Sequence, residues 1–307
     1  MDVICSALAG VMARAVCHPL DTAKTVTFTG FFGDSSSSLH VNSKGSLRHV
    51  ASSIWRREGP GAFYRGAGVA IVGSAPGTAL YLTTYTWSRD FLQGYVSASH
   101  SSSFLSTIPS SFIHLICGLF AESVSCIFWV PIDVTKERLQ AQSSFVEGRY
   151  KGNWDAIRTV ARYEGVRGLY KGYWSTLASF GPYSAVYFGC YEVFENVLNE
   201  HMSLGTFSSS LCAGGMGNIV ACVVTNPLEL VKTRLQVQRA VLSVNGRPTA
   251  VYGFPFRYKG LLDGLCAIVK SEGVCALWKG LPIRVTFAAP NAALTMGFYS
   301  YLKGNMA

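Results

Sequence analysis

The chain has 307 residues, of which 14% are charged and 49% hydrophobic, and its mean hydropathy is +0.27. Soluble domains carry about a quarter charged residues, so this deficit excludes an ordinary water-soluble globule and points to lipid. The net charge is +9, yet 22 of the 26 Lys and Arg fall in segments 22–65, 134–171 and 230–279, a clustering at three separate loops that excludes a nucleic-acid surface.

The first apolar stretch, roughly 3–24, closes on Pro19, Asp21 and Lys24. Residues 66–88 then contain no Asp, Glu, Lys or Arg. A third stretch, 112–138, carries few charges before Pro131 and Asp133, and 173–191, 203–228 and 285–302 are again free of charge. A spanning helix needs ~20 largely apolar residues, so six spans are expected. Their Gly, Ser and Thr content suits close helix packing in lipid. A β-barrel would show ~10-residue alternations instead. Short helices are expected near 46–57, 154–163 and 261–271, each stopping at a Glu-Gly pair. The three basic loops belong on one side, because 90–135 and 193–231 have no Lys or Arg at all. The nine cysteines show no zinc spacing. No secretory signal with a cleavage site is evident, so targeting information is expected to be internal.

Two signatures recur at intervals of about a hundred residues, which reads as three copies of one unit. PLDTAKTV (19–26), PIDVTKER (131–138) and PLELVKTR (227–234) form the first; EGPGAFYRG (58–66), EGVRGLYKG (164–172) and EGVCALWKG (272–280) form the second. The expected units are 1–100, 105–202 and 205–307, with Ser-rich 97–111 as the clearest linker. Three copies of each signature, in register across the whole chain, resemble the mitochondrial carrier family. The resemblance implies an all-α membrane protein with six transmembrane helices in three pseudo-threefold repeats. It also implies a monomer in the inner mitochondrial membrane that moves a small molecule, binds cardiolipin, holds no cofactor or metal, and is not an enzyme.

Proline within a helix removes a hydrogen bond and favours a kink, and a charge in lipid is costly unless paired or wet. The resemblance pairs Asp21 with Lys136, Asp133 with Lys232 and Glu229 with Lys24 as a gate on the matrix side, braced by Gln140 and Gln236. Repeat one departs from the pattern: Val26 stands where Arg138 and Arg234 stand, and Phe28 where the glutamines stand. The opposite gate is thinner. YTWSR (85–89), YEVFE (191–195) and YSYLK (299–303) keep Tyr85, Tyr191 and Tyr299, but only Arg89–Glu192 remains as an ion pair beside Lys303. A resting state open to the cytoplasm is expected. Helix starts attract phosphate, and the resemblance gives cardiolipin to Arg65, Gly66, Lys171, Gly172, Lys279 and Gly280.

By the same resemblance, substrate contacts fall near Pro76, Pro182 and Pro290, at Gly73, Ser74, Ser179, Phe180, Phe287 and Ala288. Periodicity adds Arg14, two turns before Asp21, and Glu122, three turns before Asp133; Arg284 lies just ahead of Pro290. One glutamate and two arginines suit a zwitterion, either amino-acid-like or like S-adenosylmethionine. The stretch AESVSCIFWVPIDVTKERLQ (121–140) is similar to the third helix of the S-adenosylmethionine carrier branch, although Arg14 replaces an acid of that branch. Nucleotide or cofactor transport, iron transport, proton leak and a receptor-like role are the other readings. For iron, the family's soft ligands would have to come from His18, His114 or Met296, which do not share a depth.

Overall fold

The computed structural model describes residues 2–29, 47–98, 110–142, 150–202, 206–238, 243–244, 247–248 and 258–306. Six long helices dominate: α1 (Asp2–Thr29), α3 (Ala67–Ala98), α4 (Ser110–Ala141), α7 (Tyr173–Met202), α8 (Thr206–Val237) and α10 (Leu281–Met306). Shorter helices connect them on one side: α2 (Leu47–Glu58), α5 (Asn153–Tyr163), α6 (Gly165–Leu169) and α9 (Leu261–Glu272). A two-residue antiparallel ladder joins Ser243–Val244 to Arg247–Pro248. Most of the 97–111 linker lies outside the described residues.

Each long helix runs past the apolar stretch that marks it in the sequence. The helices have 26 to 32 residues, about 39 Å or more at 1.5 Å per residue. Helix α4 keeps going through Asp133, Lys136 and Arg138 because those groups find partners on other elements of the bundle. By hydropathy and length, one helix among the described residues, Ile113–Ala141, is apolar enough to cross a membrane. The outward faces of the long helices are greasy: Val16 on α1, Val72 on α3, Phe128 on α4, Trp174 and Phe188 on α7, and Val224 on α8 are all exposed.

The packing closes a ring. Helix α3 packs on α4, α7 on α8, and α10 back on α1, while α1–α3, α4–α7 and α8–α10 pack within each unit. Helices α1, α4 and α8 also touch one another, and each carries an internal proline, Pro19, Pro131 or Pro227. These three contacts define the closed end of the bundle.

The short helices floor that end. Phe28, Leu230, Val231, Tyr258 and Ile268 form one buried cluster, Ala23, Val50, Ile54 and Ile283 a second, and Leu139, Tyr150, Ala156 and Val160 a third. Units two and three repeat their chemistry atom for atom. Gln142 Nε2 donates to the Tyr150 carbonyl at 3.2 Å, and Gln238 Nε2 donates to that of Tyr258 at 3.1 Å. The Lys151 N–H reaches Asp155, as the Lys259 N–H reaches Asp263. This equivalence makes the relation of units two and three a matter of bonds as well as of sequence.

Candidate functional site

At the closed end the lysines and acids of α1, α4 and α8 meet across helix boundaries. Lys24 Nζ lies 2.8 Å from Glu229 Oε1, Lys136 Nζ 3.0 Å from Asp21 Oδ2, and Lys232 Nζ 3.6 Å from Asp133 Oδ2. The side chains are 9–19% exposed, so each charge depends on its partner rather than on bulk water.

The three corners are braced differently. Gln140 Nε2 donates to Asp21 at 3.3 Å and to Thr22 Oγ1 at 3.1 Å, and Thr25 Oγ1 donates to Gln140 Oε1 at 2.9 Å. Gln236 sits at the equivalent corner, but its Nε2 has no hydrogen-bond partner among the described residues. At the third corner Phe28 replaces glutamine, and Lys24 Nζ stands over its ring at 5.5 Å.

A second tier lies beneath. Arg138 is fully buried and gives a bidentate bond to Glu164, at 2.6 and 2.9 Å, with Nε on the Gln236 carbonyl. Arg234 does the same for Glu272, with Nε on the Phe28 carbonyl. The glutamate of each of these two Glu-Gly signatures is therefore a counter-ion to the arginine of the proline signature. In unit one, where Val26 removes that arginine, Glu58 pairs instead with Arg65. Neither the use of the Glu-Gly glutamates nor this replacement was read from the sequence; recurrence of a buried-type Arg and a Glu in two of three units was the available signal.

Arg65, Lys171 and Lys279 turn inward. Arg65 Nη1 donates to the Gln142 carbonyl at 2.8 Å, and Lys171 Nζ to that of Gln238 at 3.1 Å. Lys279 Nζ lies 3.9 Å from Glu272. Burial pulls the pKa of Lys171 and of Lys279 down, against the opposing pull of Glu164 and Glu272 respectively. Gly66, Gly172 and Gly280 have φ of 77°, 84° and 77°, a region closed to most side chains. A Cβ at Gly280 would also sit 2.7 Å from the Phe28 ring. These glycines let α3, α7 and α10 start tight against α4, α8 and α1.

Above the ring is a cavity of about 310 Å³. Glu122, Ser179, Phe180, Arg284, Phe287 and Ala288 line it, as do the ring residues Lys24, Glu229 and Lys232. Tyr183, Cys222 and Asn291 line it too and were not anticipated, nor was Asn218, which holds in unit three the position of Glu122 in unit two. Arg284 is 7% exposed and donates to the Cys222 carbonyl at 3.1 Å and to Thr225 Oγ1 at 3.0 Å. Glu122 accepts a weak bond from Cys126 Sγ at 3.6 Å.

Three of the expected contact residues stand outside this lining. Arg14 lies over the Trp129 ring at 4.5 Å, an attraction that holds α1 to α4. Gly73 is where Ile132 enters, since a Cβ there would lie 2.5 Å from Ile132 Cδ1. Ser74 is buried and bonds its own helix at the Ile71 carbonyl. Among the other residues weighed, His18 bonds the Arg65 carbonyl at 3.0 Å, and His114 bonds Tyr85 at 2.9 Å.

Towards the far end, aromatic rings continue upward from the cavity. Tyr183 and Tyr187 stack at 6.2 Å, Tyr187 meets Tyr191 at 6.3 Å, and Tyr81 stacks on Tyr85 at 6.2 Å. Arg89 pairs with its neighbour Asp90 at 2.9 Å rather than with Glu192. Helix α4 stands between α3 and α7, and Glu192 is exposed. The Arg89–Glu192 pair is thus unmade in a conformation whose opposite ring is closed. Tyr191 Oη donates to Glu195 at 2.8 Å. The side chains of Tyr299, Lys303 and Met296 lie outside the described residues.

A family model described as "Mitochondrial carrier protein" matches residues 1–96, 109–202 and 204–307. The chain belongs to the mitochondrial carrier family. Members of this family are transporters. Among its relatives, "Mitochondrial substrate carrier family protein E" of Dictyostelium discoideum is 29% identical over 98% of this chain and 94% of its own. "Mitoferrin" of Caenorhabditis briggsae is 29% identical, covering 97% and 89%. "Probable S-adenosylmethionine carrier 2, chloroplastic" of Arabidopsis thaliana is also 29% identical, covering 96% and 71%. Relatives at one level of identity bear names with different cargoes, so family membership assigns the fold and the transport class and leaves the cargo to the site.

Proposed function

We propose that this protein is a multi-pass carrier of the inner mitochondrial membrane that exchanges a small zwitterionic metabolite by alternating access. The observation that carries the reading is the juxtaposition of a mixed-charge cavity with a ring of interhelix ion pairs directly beneath it. The ring, Asp21–Lys136, Asp133–Lys232 and Glu229–Lys24, is the matrix-side gate, braced by Gln140 and Gln236. When substrate binds, differential contacts in the occluded state offset the cost of separating the pairs. Water then hydrates the freed charges.

Glu122 and Arg284 bracket the cargo. A carboxylate on the cargo is drawn to Arg284, and an amine or sulfonium to Glu122. Phe180, Tyr183 and Phe287 offer flat apolar surface beside them. This combination fits an amino-acid-like compound, or an S-adenosylmethionine-like one whose planar base needs an aromatic neighbour. Similarity to a protein named as a probable S-adenosylmethionine carrier supports the second form. Arg14, Gly73 and Ser74 act in helix packing beside the site.

The exposed apolar faces of the long helices support membrane insertion. The basic loops then lie in the matrix, and a monomer suffices because the cavity lies within one chain. Cardiolipin phosphate docks at the helix starts after Gly66, Gly172 and Gly280, chiefly through backbone amides, since Arg65 and Lys171 are bonded to the protein. At the other end Arg89, Glu192, Lys303 and the tyrosines 85, 191 and 299 form the sparse cytoplasmic gate.

The test is labelled homo-exchange in proteoliposomes containing cardiolipin. They are preloaded in turn with amino acids, S-adenosylmethionine, nucleotides, carboxylates or metal ions. Saturable exchange of a zwitterionic or sulfonium compound, lost in Glu122→Gln or Arg284→Ala, supports the assignment. Exchange of nucleotides or dicarboxylates instead overturns the cargo and keeps the carrier. Flux without a counter-substrate overturns exchange itself.

A further inference from the structure

The ring holds one acid more than its symmetry requires. Glu137 follows Lys136, at the position filled by Thr25 after Lys24 and Thr233 after Lys232. Its side chain is 6% exposed. Oε1 lies 3.5 Å from Lys136 Nζ, which already pairs with Asp21 at 3.0 Å. Oε2 is buried with no hydrogen-bond partner among the described residues. The charged groups facing this carboxyl are Asp21 and Lys24 on α1, Lys136 on its own α4 and Lys232 on α8. Within the ring Asp21, Asp133, Glu229 and Glu137 set four carboxyls against the three ammonium groups of Lys24, Lys136 and Lys232, while Arg284 acts on Glu229 and Arg14 on Lys136 from outside it.

A carboxylate that is nine-tenths buried and has one oxygen unbonded is expensive. A proton removes the cost. The Thr25 hydroxyl, which bonds Gln140 Oε1 at 2.9 Å, also reaches this carboxyl and can accept from an acid O–H or donate to a carboxylate.

We propose that Glu137 is the proton-binding group of the ring: closing the ring takes up one proton on Glu137, and opening it to water releases that proton. The inference rests on reading the ring as a gate, and it needs no cargo. Closure of the matrix gate then binds one proton more than the open form, so an alkaline matrix opposes closure. Proton and charge balance are complete: a water-derived proton joins the carboxylate on closure and returns to water on opening.

The test is thermal unfolding of the purified, unliganded full-length chain from acid to alkaline pH, for wild type, Glu137→Gln and Glu137→Thr. A group that is protonated in the fold and ionised when unfolded stabilises below its folded pKa and loses that contribution as pH rises. The wild type is expected to lose a few degrees of melting temperature per pH unit relative to both variants above the unfolded-state pKa of a glutamate, until the folded pKa is passed. Both variants should match it in acid. Parallel curves for all three proteins overturn the proposal. So does a Gln variant that is weaker at every pH and rescued by Glu137→Asp, the mark of an ionised, salt-bridged glutamate. Failure of both neutral variants to fold also overturns it, because a neutral carboxyl implies that a neutral side chain is tolerated. These outcomes are separate from failure of the gate reading, which the ring-lysine variants test through exchange.

Discussion

Lys136 touches two carboxyls, Asp21 at 3.0 Å and Glu137 at 3.5 Å. Removing it leaves Asp21 buried with Gln140 as its hydrogen-bond donor and without its ion-pair partner. On the gate reading, Lys136→Ala or Asp133→Ala abolishes exchange while the protein still inserts, and near-normal exchange in either purified variant would refute the gate. Reversing a pair, Asp21→Lys with Lys136→Asp, should restore part of what either single change loses, since the attraction is symmetric and the braces are not. The arginines one tier down serve stability instead. Arg138 is completely buried and bonded at three nitrogens, so Arg138→Ala leaves Glu164 without its counter-ion and should cost roughly 3–5 kcal/mol. Chemical denaturation of the purified chain would measure it.

Among the elements, the close approach of α3 to α4, of α7 to α8 and of α10 to α1 depends on a glycine. At Gly280 a methyl group would meet both a positive φ of 77° and the Phe28 ring. Gly280→Ala is expected to destabilise by about 1–3 kcal/mol through backbone strain and overpacking. Gly10 lies in the first half of α1, and a Cβ added there would meet nothing within 4 Å. Gly10→Ala should be neutral, or more stable by up to ~1 kcal/mol from helix propensity. The contrast separates a glycine that the packing requires from one that merely occupies a helix, and melting temperatures of the two variants decide it.

At the scale of the whole molecule the two ends are unequal among the described residues. One has three interhelix pairs, buried arginines beneath them and three apolar clusters. The other shows Arg89 paired to its own neighbour and Glu192 exposed. The imbalance favours the conformation described here, with the cavity cut off from the basic-loop side. Asn218 lines that cavity and is partly exposed, so a thiol placed there by Asn218→Cys reports on it. Adding acids and a base to the sparse end, with Thr86→Asp, Ser300→Asp and Glu195→Lys together, should lower labelling of that thiol by an impermeant reagent from the cytoplasmic side. Unchanged labelling would mean that the sparse gate does not set the resting state.

Much of this was legible in the sequence, because the repeat writes the same physical demand three times. Proline, acid and lysine at fixed spacing in three apolar segments required partners across the bundle, since lipid tolerates no unpaired charge. The short helices also fell within a residue or two of where the Glu-Gly pairs stop them. What the sequence could not supply was the neighbour of each side chain. Arg14 lies at a cavity-like register on its helix, but Trp129 comes from another helix to cover it. Glu137 reads as one more surface-type residue in a charged helix end, until three helices converge and leave it with half a partner. Periodicity fixes the face on which a residue lies; only the crossing of helices decides whether that face meets water, a ring or an uncompensated charge.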